Sequence, residues 1–201
     1  KLGAAFTNNT AVAMPVESGK LAEALIAGLP LRADVATSFE AASADWKKAR
    51  EAAKRALGFQ VGTPLVLVVG GSQGSQVMNS TIEGSLDTLL SKKIQVLHAV
   101  GKKNELPAER DHYKPVHYIT EMAQAYLAAD LVIARSGAVT CSEIGALGRY
   151  ALFVPLSIGN GEQGLNAEHL VSLGKAEMIN QRFFTAQWLS ANIERLMNDA
   201  G

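Results

Sequence analysis

The chain has 201 residues, of which 48% are hydrophobic and 19% charged, and this composition predicts one well-packed domain with a piece of another. Its 19 Lys and Arg residues balance 19 Asp and Glu residues, which argues against nucleic acid as the main partner because binding to a phosphate backbone needs a basic surface. The single cysteine excludes an internal disulfide and weakly favours a reducing compartment, and no apolar run approaches the roughly 20 residues of a membrane-spanning helix.

The first 33 residues are predicted to be the end of one domain and its crossover into the next. Residues 10–14 form a short apolar run that ends at Pro15, and a glycine and a proline in the segment 28–32 predict a turn. The chain begins without Met and lacks the basic, apolar and small-residue order of a secretory signal. Residues 197–201 are typical of a helix that stops just after its last turn, so we expect the sequence to be part of a longer protein.

A helix is predicted over residues 44–57, with Ser43 as its N-cap and Gly58 as its C-terminal stop. Apolar residues at three- and four-residue spacing give this helix one apolar face. The helix also carries five basic residues, which we predict to face solvent rather than to form a binding patch. They are Lys47, Lys48, Arg50, Lys54 and Arg55.

From residue 64 onward, short apolar runs alternate with helical patterns, joined by short connections. The predicted strands are 65–69, 94–98, 116–118, 131–134, 151–154 and 176–179. The predicted helices are 75–90, 121–128, 139–147, 163–173 and 185–198. This alternation predicts an α/β fold, a Rossmann-like three-layer α/β/α arrangement around a parallel sheet.

The most informative segment follows the predicted strand 131–134. Arg135, Ser136 and Gly137 turn the chain, and a helical pattern then begins with Glu143 about one turn inside it. A buried strand, a glycine turn and a helix N-terminus together are typical of an anion site, because free backbone N–H groups point at a phosphate. The carboxylate of Glu143 then lies where a ribose hydroxyl can reach it, so the order of residues predicts a nucleotide site.

A second glycine turn supports this prediction. The continuous apolar strand 65–69 enters residues 70–74, which read GGSQG, and a helical pattern follows. The turn matches neither the G-x-G-x-x-G fingerprint nor a Walker loop, and a single glycine turn can equally serve only to bend the chain. Two such units in one domain favour a ligand at the carboxyl edge of the sheet.

Two further segments offer polar and aromatic contacts at the same edge. The loop 157–167 carries Glu162, Gln163 and Asn166, whose side chains suit sugar hydroxyls, or else act as ordinary caps and surface amides. Residues 118–122, which read YITEM, can cover a flat base with side chains and offer backbone groups to its edge, although packing at the edge of the core explains them equally well.

Other chemistries find little support. Arg32 and Arg135 are candidate phosphate cations, with structural salt bridges as the alternative. The four histidines lack metal-ligand spacing, no Ser-His-Asp order or G-x-S-x-G motif occurs, and no metal site is predicted. Cys141 is predicted to be a small buried core residue rather than a reactive thiol.

Five motifs, taken in this order and spacing, resemble the MurG family, which adds N-acetylglucosamine to the muramyl-pentapeptide lipid during bacterial cell-wall synthesis. The resemblance runs from about residue 28 to residue 196. The motifs lie at 28–32, 70–74, 118–122, 134–143 and 161–167.

The resemblance implies a GT-B glycosyltransferase, in which two Rossmann-like domains face a cleft. Residues 34–201 then correspond to the C-terminal domain, truncated at its end, which binds the donor UDP-N-acetylglucosamine, and residues 1–33 to the tail of the N-terminal domain. The lipid-linked muramyl-pentapeptide acceptor, the membrane surface and the candidate catalytic base are expected to belong to the other domain. The full-length protein is expected in the cytoplasm, peripheral on the inner face of the bacterial membrane. We expect no tightly bound cofactor and no turnover by this chain alone.

The same resemblance implies roles for individual residues. Tyr118 and Ile119 hold uracil, and Glu143 holds the ribose. Ser72, Arg32 and the backbone of Ala138, Val139 and Thr140 hold the diphosphate. The sugar is read by Glu162, Gln163 and Asn166. The predicted substrate-binding set is completed by Gln73, Met122, Arg135 and Gly137.

Three alternatives remain open at this point. The chain can be a non-catalytic UDP-sugar-binding subunit of a split glycosyltransferase. It can also be the donor domain of another lipid glycosyltransferase, or of a UDP-sugar epimerase with a similar two-domain shape.

Overall fold

The computed structural model of the chain describes residue 7 and residues 9–12, 19–156 and 162–200. These residues form strands and helices that alternate along most of the chain, except that α2 follows α1 and β5 follows β4 directly. The strands are β1 (Ala11–Val12), β2 (Leu25–Ile26), β3 (Leu65–Val69), β4 (Gln95–Ala99), β5 (Tyr113–Val116), β6 (Leu131–Ala134), β7 (Tyr150–Phe153) and β8 (Ala176–Met178). The α-helices are α1 (Ala33–Ser43), α2 (Trp46–Ala56), α3 (Gln76–Ser91), α4 (Met122–Ala128), α5 (Ala138–Ala146), α6 (Glu162–Ser172) and α7 (Ala186–Asp199). Short 3₁₀ turns cover Lys20–Glu23 and Gln181–Phe183.

Six strands form one parallel sheet in the order β5-β4-β3-β6-β7-β8. The chain enters the middle of this sheet at β3 and adds β4 and β5 on one side. It then crosses to the other side of β3 and adds β6, β7 and β8. The strand order therefore reverses between β3 and β6, which is the topological switch point of a doubly wound sheet. The predicted parallel α/β fold is confirmed.

Side-chain alternation along the strands divides the core into two layers. Leu65 and Leu67 of β3 belong to a buried cluster with α1, α2, α4, α5 and α6. Val66 and Val68 face the opposite side, where the cluster is completed by α3 and α7. Because successive strand residues point to opposite faces, a strand covered on both sides is apolar throughout, and the predicted three-layer arrangement follows.

The helix predicted over residues 44–57 corresponds to α2, and an unpredicted helix, α1, lies directly before it. The chain bends between α1 and α2, and Asp45, rather than Ser43, caps α2 by accepting a hydrogen bond from the Lys48 N–H at 2.9 Å. Ser43 ends α1, where its hydroxyl donates to the Phe39 carbonyl at 2.8 Å. Helix α1 was missed because no side chain caps its start. The predicted stop at Gly58 is confirmed, with a φ of 82°.

The prediction that the basic residues of α2 face solvent holds for Lys47, Lys48 and Arg55, which are exposed, but is wrong for Lys54 and Arg50. Lys54 is buried, and its ammonium donates to Asp130 at 2.8 Å and to the Thr63 carbonyl at 2.8 Å, while Arg50 binds the same carboxylate. Asp130 also accepts from the Leu65 N–H at 2.8 Å, so it anchors the start of β3. Burial opposes the charge of this carboxylate, but these donors outweigh it and lower the pKa of Asp130.

Strand β5 lies earlier than predicted, at Tyr113–Val116 instead of 116–118. Pro115 within it argued against a strand, since proline cannot donate to a neighbour. The proline is tolerated because β5 is an edge strand that pairs only with β4. Tyr118, predicted as the last residue of this strand, consequently lies beyond the end of β5, as does Ile119.

The crossover segment forms a separate parallel pair, in which β1 pairs with β2. Of the apolar run predicted over residues 10–14, positions 13 and 14 lie outside the described residues. The division of the chain at residue 33 remains a prediction. Within the described ranges, no helix combines the length and apolarity needed to cross a bilayer, and the longest, α3, has 16 residues.

A polar triad is buried in the layer between β4 and α3. His98 is only 1% exposed; its Nδ1 lies 3.1 Å from the Tyr113 hydroxyl and its Nε2 lies 3.1 Å from the Asn79 Oδ1. Asn79 donates its amide to the Val100 carbonyl, which leaves Oδ1 to accept from Nε2–H and Nδ1 to accept from the tyrosine. Burial lowers the pKa of His98 from 6.5 to about 4, so the imidazole is neutral at neutral pH.

This burial predicts an acid-dependent loss of stability. The pKa of His98 is about 4 in the folded chain and 6.5 in the unfolded chain. Between these pH values the imidazole takes up a proton on unfolding. The free energy of unfolding therefore falls as pH drops through this window, by at most roughly 3 kcal/mol. Urea denaturation at pH 7.5 and at pH 4.5 measures the difference. The His98→Gln variant is expected to show a much smaller difference between the two pH values. His169→Gln, on the exposed face of α6, serves as the control. Equal pH dependence in wild type and His98→Gln would contradict the assignment.

Candidate functional site

The candidate site lies at the switch point of the sheet. β3 and β6 pair in register and end side by side, with Val69 opposite Ala134. The turn after β3 leads into α3 and the turn after β6 leads into α5, so the N-termini of both helices open on one cleft of about 440 Å³. The cleft is lined by Val69, Gly70, Gly71, Gly74, Ser75, Gln76, Val77, Arg135, Gly137, Thr140, Leu156 and Gln163.

The cleft has the features that are typical of an anion site. In α5 the first intrahelical acceptor, the Gly137 carbonyl, takes the Cys141 N–H at 2.9 Å, so the N–H groups of Ala138, Val139 and Thr140 have no acceptor within the helix. Helix α6 starts beside them and contributes Gln163. Helix N-termini carry partial positive charge, and none of the described residues that line the cleft is Asp or Glu.

Arg135 closes the floor of the cleft. Its Nη1 donates to the carbonyls of Val154 and Pro155 at 2.9 and 3.1 Å, and its Nη2 donates to Ser75 Oγ at 2.6 Å and Gln181 Oε1 at 2.5 Å. Every one of these acceptors is a neutral oxygen, and burial lowers the pKa of the guanidinium. Arg135 therefore ties four segments together, and no carboxylate of the described ranges forms an ion pair with its charge.

The turn after β3 depends on glycine. Gly74 has a φ of 75°, and a Cβ at this position would lie 1.9 Å from the Val100 carbonyl oxygen, which excludes any other residue without a shift of the backbone. The Gly74 N–H closes the turn on the Gly71 carbonyl at 2.9 Å. Ser72 and Gln73, both predicted to bind substrate, are exposed at the tip of this turn, outside the lining of the cleft.

Glu143 is the buried acid of the site. It is 2% exposed, and it accepts from Arg32 Nε at 2.5 Å and from Arg32 Nη2 at 3.0 Å. The predicted ribose acceptor and one predicted phosphate cation thus bind each other. The hydrogen bond to Glu143 raises the pKa of Arg32, and burial together with the Glu143 carboxylate raises the pKa of the neighbouring Tyr126 phenol.

The residues predicted to hold the base follow β5. Tyr118 is 47% exposed, with Lys102 Nζ 4.8 Å from the centre of its ring. Ile119 is buried, and Met122 packs against the same core cluster at the start of α4. An exposed aromatic ring above a buried aliphatic floor suits a flat ring, although these residues do not line the cleft between β3 and β6.

The predicted sugar-binding residues lie in the first turns of α6. Gln163 Oε1 accepts from the Leu156 N–H at 3.0 Å, and Asn166 Nδ2 donates to the Ser136 carbonyl at 3.0 Å. Their remaining groups, the Gln163 amide hydrogens and the Asn166 carbonyl oxygen, are free of these bonds. Glu162 is exposed. Positions 157–161 of the predicted loop lie outside the described residues.

Some residues of the site escaped prediction. Ser75 binds Arg135 and caps α3 by accepting from the Met78 N–H at 3.4 Å; its place at the head of a helical pattern was a usable signal. No such signal pointed to Gln181, since it is 46 residues from Arg135 in the sequence.

The prediction for Cys141 is confirmed, because it is buried and burial raises the pKa of its thiol to about 12. Among the described residues, no three His, Cys, Asp or Glu side chains are grouped to hold a metal ion.

Removing Arg135 is expected to destabilise the chain. Arg135→Met leaves the buried Val154 carbonyl without its donor and should lower the free energy of unfolding by about 2–3 kcal/mol. Arg135→Lys should recover only part of this loss, because an ammonium cannot reproduce the guanidinium fork. Chemical denaturation measures the stability of both variants. The control is Arg55→Ala, which removes an exposed ion pair with Glu51 and should lower the free energy of unfolding by roughly 0.5 kcal/mol or less. A loss for Arg135→Met no larger than that of the control would show that the four contacts contribute nothing.

Comparison with known proteins places this chain in a family. The glycosyltransferase family 28 C-terminal domain matches residues 65–200. Proteins named UDP-N-acetylglucosamine--N-acetylmuramyl-(pentapeptide) pyrophosphoryl-undecaprenol N-acetylglucosamine transferase are similar in sequence. The one from Corynebacterium efficiens is 42% identical over 174 residues, which are 87% of this chain and 47% of that protein. The one from Streptomyces coelicolor is 39% identical over 204 residues, 99% of this chain and 54% of that protein.

Solved structures agree with the sequence relatives. The crystal structure of Acinetobacter baumannii MurG is 30% identical, with a TM-score of 0.60 over 75% of this chain and 45% of that one. The calicheamicin glycosyltransferase CalG4, 14% identical with a TM-score of 0.57 over 70% of this chain and 38% of that one, shares the fold alone. The predicted resemblance to MurG and the predicted C-terminal domain of a GT-B glycosyltransferase are confirmed. The chain spans about half the length of the relatives it matches, and it belongs to the family of glycosyltransferase family 28 C-terminal domains.

Proposed function

We propose that this chain is the donor-binding half of an inverting glycosyltransferase that transfers N-acetylglucosamine from UDP-N-acetylglucosamine to the lipid-linked muramyl-pentapeptide of peptidoglycan synthesis. The observation that carries the proposal is the cleft at the switch point, where α3, α5 and α6 begin beside one another. Among the described residues no acidic side chain lines its walls, and α5 carries the buried Glu143 within its second turn. A nucleoside diphosphate needs this combination of free N–H donors for its phosphates and a carboxylate for its ribose. The names of the similar transferases support the choice of donor and acceptor.

Each part of the donor has a place in this proposal. The diphosphate lies over the N-terminus of α5. Ser72 and Gln73 of the glycine turn lie on its other side, together with the positive charge of Arg135. Uracil stacks at Tyr118 and Ile119, beside Met122. The ribose binds Glu143. The sugar hydroxyls are read by the free groups of Gln163 and Asn166, with Glu162 at the rim.

The Arg32–Glu143 pair has to rearrange in this complex. Both carboxylate oxygens of Glu143 accept from Arg32, so ribose hydroxyls compete with the guanidinium for the same acceptors. The diphosphate offers Arg32 an alternative partner, and Arg binds phosphate oxygens with the same forked geometry as a carboxylate. We infer that donor binding exchanges the partners of both residues.

The chemistry assigned to this half is stabilisation of the leaving group. The acceptor 4-hydroxyl attacks the anomeric carbon, the bond to the diphosphate breaks with inversion, and negative charge grows on the departing UDP. Backbone N–H groups at helix N-termini, fixed before the reaction, stabilise that charge. The catalytic base, the contacts to the lipid acceptor and those to the inner face of the membrane are assigned to the other domain, and no nucleic acid is involved.

Glu143 provides the first test. Isothermal titration of the chain with UDP-N-acetylglucosamine, UDP and UDP-glucose should detect binding of the first two, and Glu143→Ala should weaken binding of UDP by about 10- to 100-fold because hydrogen bonds to a charged acceptor are lost. Glu177→Ala is the matched control, since Glu177 also binds an arginine, Arg195, through both oxygens but lies on β8 away from the cleft. Wild-type affinity in Glu143→Ala would refute a ribose contact.

Arg32 provides a second test, which separates phosphate from nucleoside. Arg32→Ala should weaken UDP binding about tenfold and make it less sensitive to salt, because a phosphate contact is lost. The affinity for uridine should not fall, since Arg32 competes with the ribose for Glu143. Titrations with UDP and uridine at low and high salt make the comparison. A fall in uridine affinity equal to that for UDP would argue against the assigned partner exchange.

A further inference from the structure

The glycine turn of the candidate site is held by a second loop that no motif pointed to. This loop, residues 100–104, follows β4 and is called the β4 loop below. The Lys102 N–H donates to the Ser72 carbonyl at 3.4 Å, and the side chain of Asn104 donates to the Gln73 carbonyl at 2.9 Å. Both exposed residues of the turn that are predicted to bind substrate therefore have their carbonyls occupied by the β4 loop.

Asn104 makes the stronger of these links and also closes its own loop. The same Nδ2 that binds Gln73 donates to the Val100 carbonyl at 2.7 Å, and the Asn104 N–H donates to the Gly101 carbonyl at 3.2 Å. A two-hydrogen amide can serve both acceptors at once. The side chain thus bridges the tip of the glycine turn and the first residue of the β4 loop.

The Val100 carbonyl is itself anchored in the core. It also accepts from Asn79 Nδ2 at 3.0 Å, and Asn79 in turn binds the buried His98, which binds Tyr113. Asn79 lies in α3, so the helix that begins at the cleft and the β4 loop share one acceptor. The tip of the glycine turn is in this way connected, through Asn104, to a rigid polar network inside the protein.

These contacts decide which way the free donors of the turn point. In a trans peptide the C=O and the following N–H point in opposite directions. Because the Ser72 carbonyl faces the β4 loop, the Gln73 N–H faces away from it, and the next N–H, that of Gly74, is already bound to Gly71. The β4 loop therefore sets the direction of the Gln73 N–H, a donor that an oxygen of a ligand can use.

From this geometry we propose that Asn104 is a positioning residue for the diphosphate of the donor. It fixes the Gln73 carbonyl against the β4 loop, beside the Lys102 N–H that binds the Ser72 carbonyl, so that the Gln73 N–H faces the phosphates. The inference rests on the proposed function, since it assigns Asn104 a role in binding the same nucleotide. Asn104 itself touches no substrate and acts through Gln73.

The test compares UDP with uridine in Asn104 variants. Asn104→Ala removes the bridge, and Asn104→Asp keeps the size while removing both donor hydrogens and placing a carboxylate against two carbonyls. Each should weaken UDP binding by about tenfold and leave uridine affinity unchanged, because uridine lacks the groups that the turn binds. Affinities are measured by two-dimensional NMR titration. Asn192→Ala on α7, which loses an amide bond to the Trp188 carbonyl, is the matched control and should leave both ligands unaffected.

The outcomes separate the two proposals. If wild type binds UDP and the Asn104 variants lose UDP but keep uridine, the positioning role is supported. If wild type binds UDP and the variants bind it equally well, or lose uridine to the same extent as UDP, the positioning role is wrong while the proposed function stands. If wild type itself fails to bind UDP, the proposed function fails and the positioning role fails with it. Thermal unfolding of each variant shows that it is folded.

Discussion

The parallel pairing of β3 with β6 is the constraint on which the rest of the site depends. The two strands end level, at Val69 and Ala134, so the turns that follow them must leave the sheet side by side on the same edge. Each turn enters a helix, and the peptide dipoles of both helices then point their positive ends at one cleft. No individual contact in the cleft could create this convergence. It follows from strand order and register, which the buried alternation of β3 between two apolar layers holds in place.

Much of this fold follows from the sequence, because the main sheet consists of short apolar runs separated by turn residues. Five of the six strands of the main sheet, and the helices from α3 onward, begin and end within one residue of their predicted positions, since burial on both faces leaves little choice of residue type. The errors have local causes: an uncapped start hid α1, and Pro115 displaced the prediction for β5. A proline argues against a strand only where both edges are paired, and the position of β5 at the edge of the sheet cannot be read from its own residues.

The candidate site was predictable in position but not in its connections. The glycine turns and Glu143 were found because they follow strands directly. The partners of the arginines could not be found in this way, because they are distant in the sequence. Arg32 and Glu143 are 111 residues apart, and Arg135 and Gln181 are 46 residues apart. Long side chains reach whatever acceptors the fold brings near, so a sequence pattern indicates that a cation is present without showing which oxygen it binds. Asn104 is a similar case, because its role depends on two carbonyls whose directions are fixed only after folding.

The charges of the site explain how a ligand can enter without leaving any group unpaired. Burial of the Glu143 carboxylate would cost free energy without its ion pair to Arg32. Arg135 is partly buried, and the acceptors that it binds are neutral oxygens. In the proposed complex, a nucleoside diphosphate brings hydroxyl donors for Glu143 and anionic oxygens for Arg32, so each residue exchanges one partner for another. Its charge also lies close to that of Arg135, which has no carboxylate partner among the described residues. In the proposed complex the ligand replaces the internal ion pair as the partner of both residues. The proposal therefore predicts selectivity for a ligand with both a ribose and a diphosphate, because a ligand with only one of them offers a partner to only one of Glu143 and Arg32.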